Sequence, residues 1–190
     1  FRWNLNFVYS QNRNNVEALY EGIEQVSLGG LSGASVVAAV GRQFGEFYAI
    51  GQTYTDDGKV VVDSASGLPL VNSKPDYFGS YYPKNTFSVT NNFKYKNWNL
   101  YVQVDRKNGG MMYSRTKDIL EFCGASANTL NINGSGNNRD FEVVANSVYQ
   151  TYDGQYKENT VKADPNDYWI DQKDFSRNII DASYTKLREV

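Results

Sequence analysis

The chain has 190 residues and a net charge of −2, from 19 basic and 21 acidic side chains with no basic run along any segment; this balance gives no support to a nucleic-acid partner. With no His and one Cys, Cys123, it holds no internal disulfide and no Ser-His-Asp or Cys-His triad, and a zinc site is not expected. No apolar stretch nears the ~20 residues of a transmembrane helix; Val36 to Val40 is the longest candidate, although the alternating strands of a membrane β-barrel would never give one.

Phe1 to Ser10 alternates with period two. Phe1, Trp3, Leu5, Phe7 and Tyr9 share one face, and Arg2, Asn4, Asn6 and Ser10 the other, with Val8 the apolar exception. The long polar segment from Gln11 to Tyr82 follows. It contains an expected short helix near Asn15 to Gly22 and a small hairpin, in which Lys59 to Asp63 and Leu68 to Val71 flank Ser64-Ala65-Ser66-Gly67.

The strongest signal runs from Thr86 to Arg106. Phe87, Val89, Phe93 and Tyr95 share a face that Asn91 interrupts. Lys96-Asn97 supplies a tight turn, and Trp98, Leu100, Val102 and Val104 then share a face on the return run. Two ~10-residue strands joined in this way are long for a globular protein but suit a tilted crossing of an outer membrane. Lys94, Tyr95 and Trp98 gather at the turn, where an interfacial aromatic girdle would sit.

A second long polar segment runs from Lys107 to Ile180. It predicts a helix over Ser114 to Cys123 ended by Gly124, a Gly/Asn/Ser-rich loop tip at Asn131 to Arg139, and a short strand over Phe141 to Tyr149. A fourth long strand is expected from Asp181 to Val190. Short turns alternating with very long loops form the asymmetric pattern of outer-membrane barrels. The expected fold class is therefore all-β: a partial antiparallel transmembrane β-barrel of about four long strands, with long extracellular loops containing short helices and a small hairpin. No internal repeat and no domain linker is visible, so residues 1–190 read as a single partial domain. The ends, Phe1-Arg2-Trp3 without Met or a signal pattern and the strand-like Lys186 to Val190, suggest an internal piece of a longer protein, and four strands with two open edges are not expected to fold stably alone in water.

Several stretches carry a family likeness. Val40 to Tyr48 looks like a "G-x-P-F-G-x-x-Y-G" loop, with Gln43 for the usual Pro and Ala49 for the last Gly. Asp57-Gly58-Lys59 and Ser66 to Leu70 look like the hairpin that follows it. Asn72 to Tyr77 is similar to a "G-N-x-x-P-D" segment, with Val71 in place of the Gly. Asn91 to Trp98, Asp105 to Gly110, Asp167-Tyr168-Trp169 and, most specifically, Asp181 to Val190 ("D-A-S-Y-x-K-L-R-E-V") complete a collinear series. On these residues the chain resembles the later part of the barrel of SusC/RagA-type TonB-linked outer-membrane transporters.

The resemblance implies a bacterial outer-membrane location and energy-coupled import of a large nutrient, an oligosaccharide or a peptide. It implies no enzyme activity and no cofactor. The implied partners are a SusD-like surface lipoprotein and the TonB complex, the latter acting through a plug region that this chain lacks. The residues expected to face outer-membrane lipid are Phe1, Trp3, Leu5, Phe7, Tyr9, Phe87, Val89, Phe93, Tyr95, Trp98, Leu100, Val102 and Val104.

Blander readings apply to the remaining features. Tyr77, Tyr81, Tyr82, Tyr113, Tyr149, Tyr152, Tyr168 and Trp169 are candidates to stack on sugar rings, but packing of the loops against each other is the favoured reading for each. The carboxylate pairs Asp56/Asp57, Asp118/Glu121 and Asp164/Asp167 nominate neither a glycosidase dyad nor a calcium site, and Asp56-Asp57-Gly58 reads as a turn. Gly134-x-Gly136 lacks the context of a nucleotide loop, and the sequon at Asn133-Gly134-Ser135 is empty on a bacterial surface. The competing reading is a soluble β-sandwich carbohydrate-binding or adhesin module, whose aromatic faces would point into a core.

Overall fold

The computed structural model describes residues 1–31, 33–133, 139–170 and 174–190. In chain order the strands are β1 (Arg2–Gln11), β2 (Gln25–Leu31), β3 (Ala34–Ala39), β4 (Glu46–Ala49), β5 (Val60–Val62), β6 (Asp76–Ser80), β7 (Asn85–Tyr95) and β8 (Trp98–Asn108). They continue as β9 (Met111–Tyr113), β10 (Glu142–Val143), β11 (Ser147–Gln150), β12 (Tyr156–Glu158), β13 (Lys162–Ala163), β14 (Ile179–Asp181) and β15 (Tyr184–Glu189). Two α-helices, α1 (Arg115–Phe122) and α2 (Pro165–Ile170), accompany them. The chain is mostly β, with 46% strand and 12% helix. No helix among the described residues is long and apolar enough to cross a membrane, which leaves crossing by strands untouched.

The expected long strands form and lie side by side in one antiparallel sheet, ordered β1-β7-β8-β15. Arg2 pairs with Lys94 and Gln11 with Asn85 at the two ends of the β1–β7 ladder. Tyr95 pairs with Trp98 across the two-residue turn, where Lys96 takes a φ of 51°. The sheet is open, with β1 and β15 at its edges among the described residues.

The segment expected as a single strand from Asp181 divides. Ile179–Asp181 pairs with β9, and β15 begins only at Tyr184. Between them the Asp181 carboxylate accepts the Ser183 N–H (2.9 Å) and hydroxyl (2.7 Å), while Ala182 N–H donates to the Gly110 carbonyl. This side-chain-locked turn competes with the ladder and wins locally.

The two long polar segments are not open loops but one folded body with its own small sheets. β2-β3-β4-β6 form an antiparallel sheet. The segments are joined where β5, from the first, pairs in parallel with β11, from the second. One core gathers Ala34, Phe47, Ala49 and Ile179 beneath Phe78, Tyr81 and Phe175. A second gathers Val62, Val144 and Ala163 beneath Leu68, Tyr149 and Tyr168. The short apolar stretch near Val36 becomes β3, whose Ala34, Val37, Ala38 and Ala39 are buried on both faces; such a strand carries no alternation to read. Gly45 admits the Tyr81 ring: its φ is +74°, and a Cβ there would lie 2.1 Å from that ring.

The expected 59–71 hairpin forms, with Val62 bridging Pro69 and Asp63 N–H donating to the Leu68 carbonyl. So does α1, where Ser114 Oγ accepts the Lys117 N–H (3.3 Å) and Gly124 follows at φ +67°. The helix expected at Asn15 to Gly22 does not. Asn14, the residue before it, accepts the Phe44 N–H (2.8 Å), and Val16 exchanges backbone hydrogen bonds with Gly41 and Arg42. Tertiary pairing overrides a short helix whose nucleation is costly. The strand expected at Phe141 to Tyr149 breaks into β10 and β11, with Asn146 between them at φ 51°. The 131–139 tip, Gly134-x-Gly136 and the sequon fall mainly on 134–138, outside the described residues.

Candidate functional site

The largest organised surface is the apolar face of the four-stranded sheet. Register places Trp3, Phe93 and Leu100 in one cross-strand row, and Leu5, Asn91 and Val102 in the next. The row of Phe7, Val89 and Val104 extends to Leu187 on β15. Twelve of the thirteen residues expected on one face thus lie on it, since every position in these rows is two residues from the next along its strand, and Phe1, just before β1, sets its ring 6.4 Å from that of Phe93. Trp3 stacks on Phe93 at 6.0 Å between centroids, with planes 6° apart, and Phe7 meets Phe87 at 6.3 Å. Such cross-strand aromatic pairs each stabilise a sheet by about 0.2–1 kcal/mol.

This face carries large apolar side chains in the open. Phe7 is 60% exposed, Trp98 80% and Leu187 62%, and β1 is exposed along its whole length. Asn91, which interrupts the apolar pattern, is satisfied on the same face, where its Oδ1 accepts Trp3 Nε1–H at 3.2 Å. A polar group so paired costs far less in an apolar setting than a free one.

The opposite face is polar and hydrogen-bonded. Asp105 accepts the Ser88 hydroxyl (2.6 Å), the Gln103 amide (3.1 Å) and Arg188 Nε (2.8 Å). The bulge between Leu187 and Glu189 brings Arg188 onto this cluster. Strand order, strand length and the division into one apolar and one polar face therefore coincide in a single sheet.

In the folded body above the sheet, at least one carboxylate of each candidate pair is engaged structurally. Asp57 pairs with Lys59 at 3.0 Å and accepts the Thr55 hydroxyl in a turn closed by Gly58 N–H on the Thr55 carbonyl. Asp118 binds Arg115, the Tyr113 hydroxyl and the Asn178 amide. Asp164 Oδ1 accepts the Asn166 N–H at the start of α2 (2.8 Å). Glu121 is 2% exposed; it lies 3.6 Å from Arg177 Nε and 3.9 Å from Lys117 Nζ, and accepts the Asn128 amide at 3.2 Å. The Arg177–Glu121 pair ties α1 to the Ser176–Asn178 turn, while the Lys117–Glu121 pair lies within α1. No group of three or more metal-ligating side chains occurs among the described residues.

Most of the tyrosines considered as sugar platforms pack within the body. Tyr77 lies against Tyr48 (4.9 Å) and under the Arg42 guanidinium (3.6 Å), and its hydroxyl donates to Gln25. Tyr81, Tyr113, Tyr149 and Tyr168 pack on the two cores. Burial pushes the Tyr168 and Tyr113 hydroxyls above the usual tyrosine range. Trp169 meets Tyr168 edge-on at 5.0 Å, and Tyr82 packs beside Tyr81 at 4.4 Å. Tyr152 alone of this group is wholly exposed. It sits in the turn between β11 and β12 and does not line the polar cleft of about 730 Å³ formed by Asp57, Lys59, Asn146, Tyr156 and Glu158. Tyr156, half exposed in that cleft, was not singled out by its sequence context.

A small recurrence was also hidden in the sequence. Thr55-Asp56-Asp57-Gly58-Lys59 and Thr151-Tyr152-Asp153-Gly154-Gln155 make the same turn. In each, the Thr N–H donates to the carbonyl four residues on, the Gly N–H returns to the Thr carbonyl, and the Thr hydroxyl donates to the Asp carboxylate. Thr-x-Asp-Gly at both sites was the available signal. No protein-family model matches the chain, and no curated protein matches it.

Proposed function

We propose that this chain is a segment of the barrel of a TonB-linked outer-membrane transporter of the SusC/RagA type, and that the parent protein imports a large nutrient, an oligosaccharide or a peptide. The observation that carries this reading is the uncovered apolar face of a four-strand antiparallel meander, backed by a polar face. A strand of 10 residues such as β1 rises about 33 Å and, tilted by ~40°, covers about 25 Å along the bilayer normal, the height of a barrel's apolar band. The one-turn connection at Lys96-Asn97 lies at one end of this band, and both long folded segments leave from the other, as periplasmic turns and extracellular loops do. A soluble sandwich would cover the aromatic face with a second sheet, and no described residue of this chain supplies that cover.

In this reading the chemistry is binding and gating. The folded loop body, with a SusD-like lipoprotein, encloses the ligand outside. The TonB complex acts through the plug region and supplies the energy. The outer-membrane setting explains why apolar side chains can face outward without cost, since lipid tails replace the water that would otherwise surround them.

The test is depth-resolved. A fluorophore attached at Leu100 is expected to be quenched by lipids bearing an acyl-chain nitroxide, and one at the adjacent Tyr101 is not. Equal quenching at the two positions, or none at either, would sink the membrane assignment. Nutrient import is tested separately, by loss of growth on a candidate oligosaccharide when the gene is deleted.

A further inference from the structure

We infer that the loop-side rim of the apolar face binds the phosphate of a phosphorylated lipid headgroup, with Arg106 as its charged contact. This rests on the membrane reading above and adds a specific lipid contact to it. Tyr9, Phe87, Arg106 and Thr185 form one cross-strand row, the last on this face to carry aromatic side chains before the loops. Arg106 therefore projects from the same face as Val104, Val102 and Leu100, at the edge of the apolar band. It is exposed. Among the described residues its guanidinium makes no ion pair and no hydrogen bond. The neighbouring carboxylate, Asp105, points to the opposite face and is already held by Ser88, Gln103 and Arg188.

The row beyond Arg106 is Gln11, Asn85 and Asn108. Three carboxamides thus stand directly outside the guanidinium, with no carboxylate among them. Gln11 Oε1 also accepts Arg13 Nε at 3.0 Å when its amide is oriented to satisfy both groups, which brings a second guanidinium to this rim. A guanidinium is a planar fork matched to phosphate oxygens. Its aliphatic stem lies on apolar surface while its head reaches the interface. The far rim differs: Trp98 and Tyr95 stand there, and Lys96 Nζ sits 5.5 Å over the Tyr95 ring. The charge complementarity therefore points to one leaflet, the one that the folded loops face.

The measurement is lipid association with the full-length protein, in vesicles of phosphatidylcholine with and without phosphatidic acid. Wild type is expected to prefer phosphatidic acid by about fivefold, the effect of one cation near an anionic surface. Arg106→Gln is expected to lose the preference, Arg106→Lys to retain it, and Lys107→Gln, the same charge change on the opposite face, to leave it intact. In the unsubstituted protein, phosphatidic acid is expected to slow phenylglyoxal modification of Arg106, which tests the contact without any variant. A preference that survives in Arg106→Gln, or equal protection of Arg106 by free inorganic phosphate, overturns the inference. Failure of the wild type to enter either kind of vesicle overturns the membrane reading instead.

Discussion

The sheet and the folded body above it solve the burial problem in opposite ways. In the body, apolar side chains go inside: Val37, Val62 and Ala163 are each no more than 1% exposed, and the charged groups that do enter, such as Glu121, bring partners with them. In the sheet, β1 and the turn ends of β7 and β8 are exposed, and the largest apolar rings stand outward. The body's stability is supplied within its own boundary. The sheet has its backbone ladder complete between neighbours but leaves its apolar face to whatever surrounds it. On the membrane reading proposed above, the two regions face two solvents, and the dividing line runs through the rows at Arg106 and Asn108.

Substitutions that act in only one region would sharpen this division. The largest effect is expected from Arg177→Ala, which leaves the Glu121 carboxylate buried with the Asn128 amide and, as its one remaining cation, Lys117 at 3.9 Å. Removing one member of a buried ion pair costs about 3–5 kcal/mol. Hydrogen exchange should show α1 and the Ser176–Asn178 turn opening while the β7–β8 ladder stays protected. Loss of protection in the sheet as well would mean that the two regions fold as one unit.

Next in size is a matched pair on the sheet. In a bilayer, Val89→Arg is expected to destabilise by about 2–4 kcal/mol, the cost of a cation on the lipid face near mid-depth, and Thr90→Arg, on the polar face, by much less. Urea unfolding from vesicles measures both. If the two variants lose the same stability, the faces share one solvent and the contrast between the regions fails.

The smallest effect is a pH dependence confined to the body. The Ser66 N–H and hydroxyl, with the Ala65 N–H, hold the Asp63 carboxyl below the usual carboxylate range. A carboxyl whose folded value is depressed contributes stability that is present above its unfolded value, ~3.9, and is lost as pH falls through the folded value. NMR titration should therefore find Asp63 still ionised below the ordinary range, with the Ser66 amide shifting as it protonates. An ordinary titration would show that this turn draws nothing from the carboxylate.

Legibility divides along the same line as burial. The β7–β8 hairpin was readable because each strand has one apolar and one polar side, so period two is written in consecutive residues. The hairpin around Asp63 and the capped helix after Ser114 were readable because their turn and cap residues act locally. The β2-β3-β4-β6 sheet was not: Ala34 to Ala39 is buried on both sides and alternates nowhere, and β2 carries two glycines. The expected helix at Asn15 failed because the preceding side chain, Asn14, serves Phe44, a partner 30 residues away. In the site, the twelve apolar-face positions within the strands followed from parity alone. Tyr156 in the polar cleft and Arg106 at the rim did not, because their roles depend on which rows and turns become neighbours.

What the sequence by itself determined is which strands are long, which side of each is apolar and where the tight turn falls, since these depend on residues within reach of one another along the backbone. What only the tertiary structure decided is that the two long polar segments close on each other through the parallel β5–β11 pair, that Glu121 is buried between Lys117 and Arg177, and that the aromatic face stays uncovered. Each of these depends on contacts between residues far apart in the chain, whose loop-closure entropy is offset only when the whole set forms together.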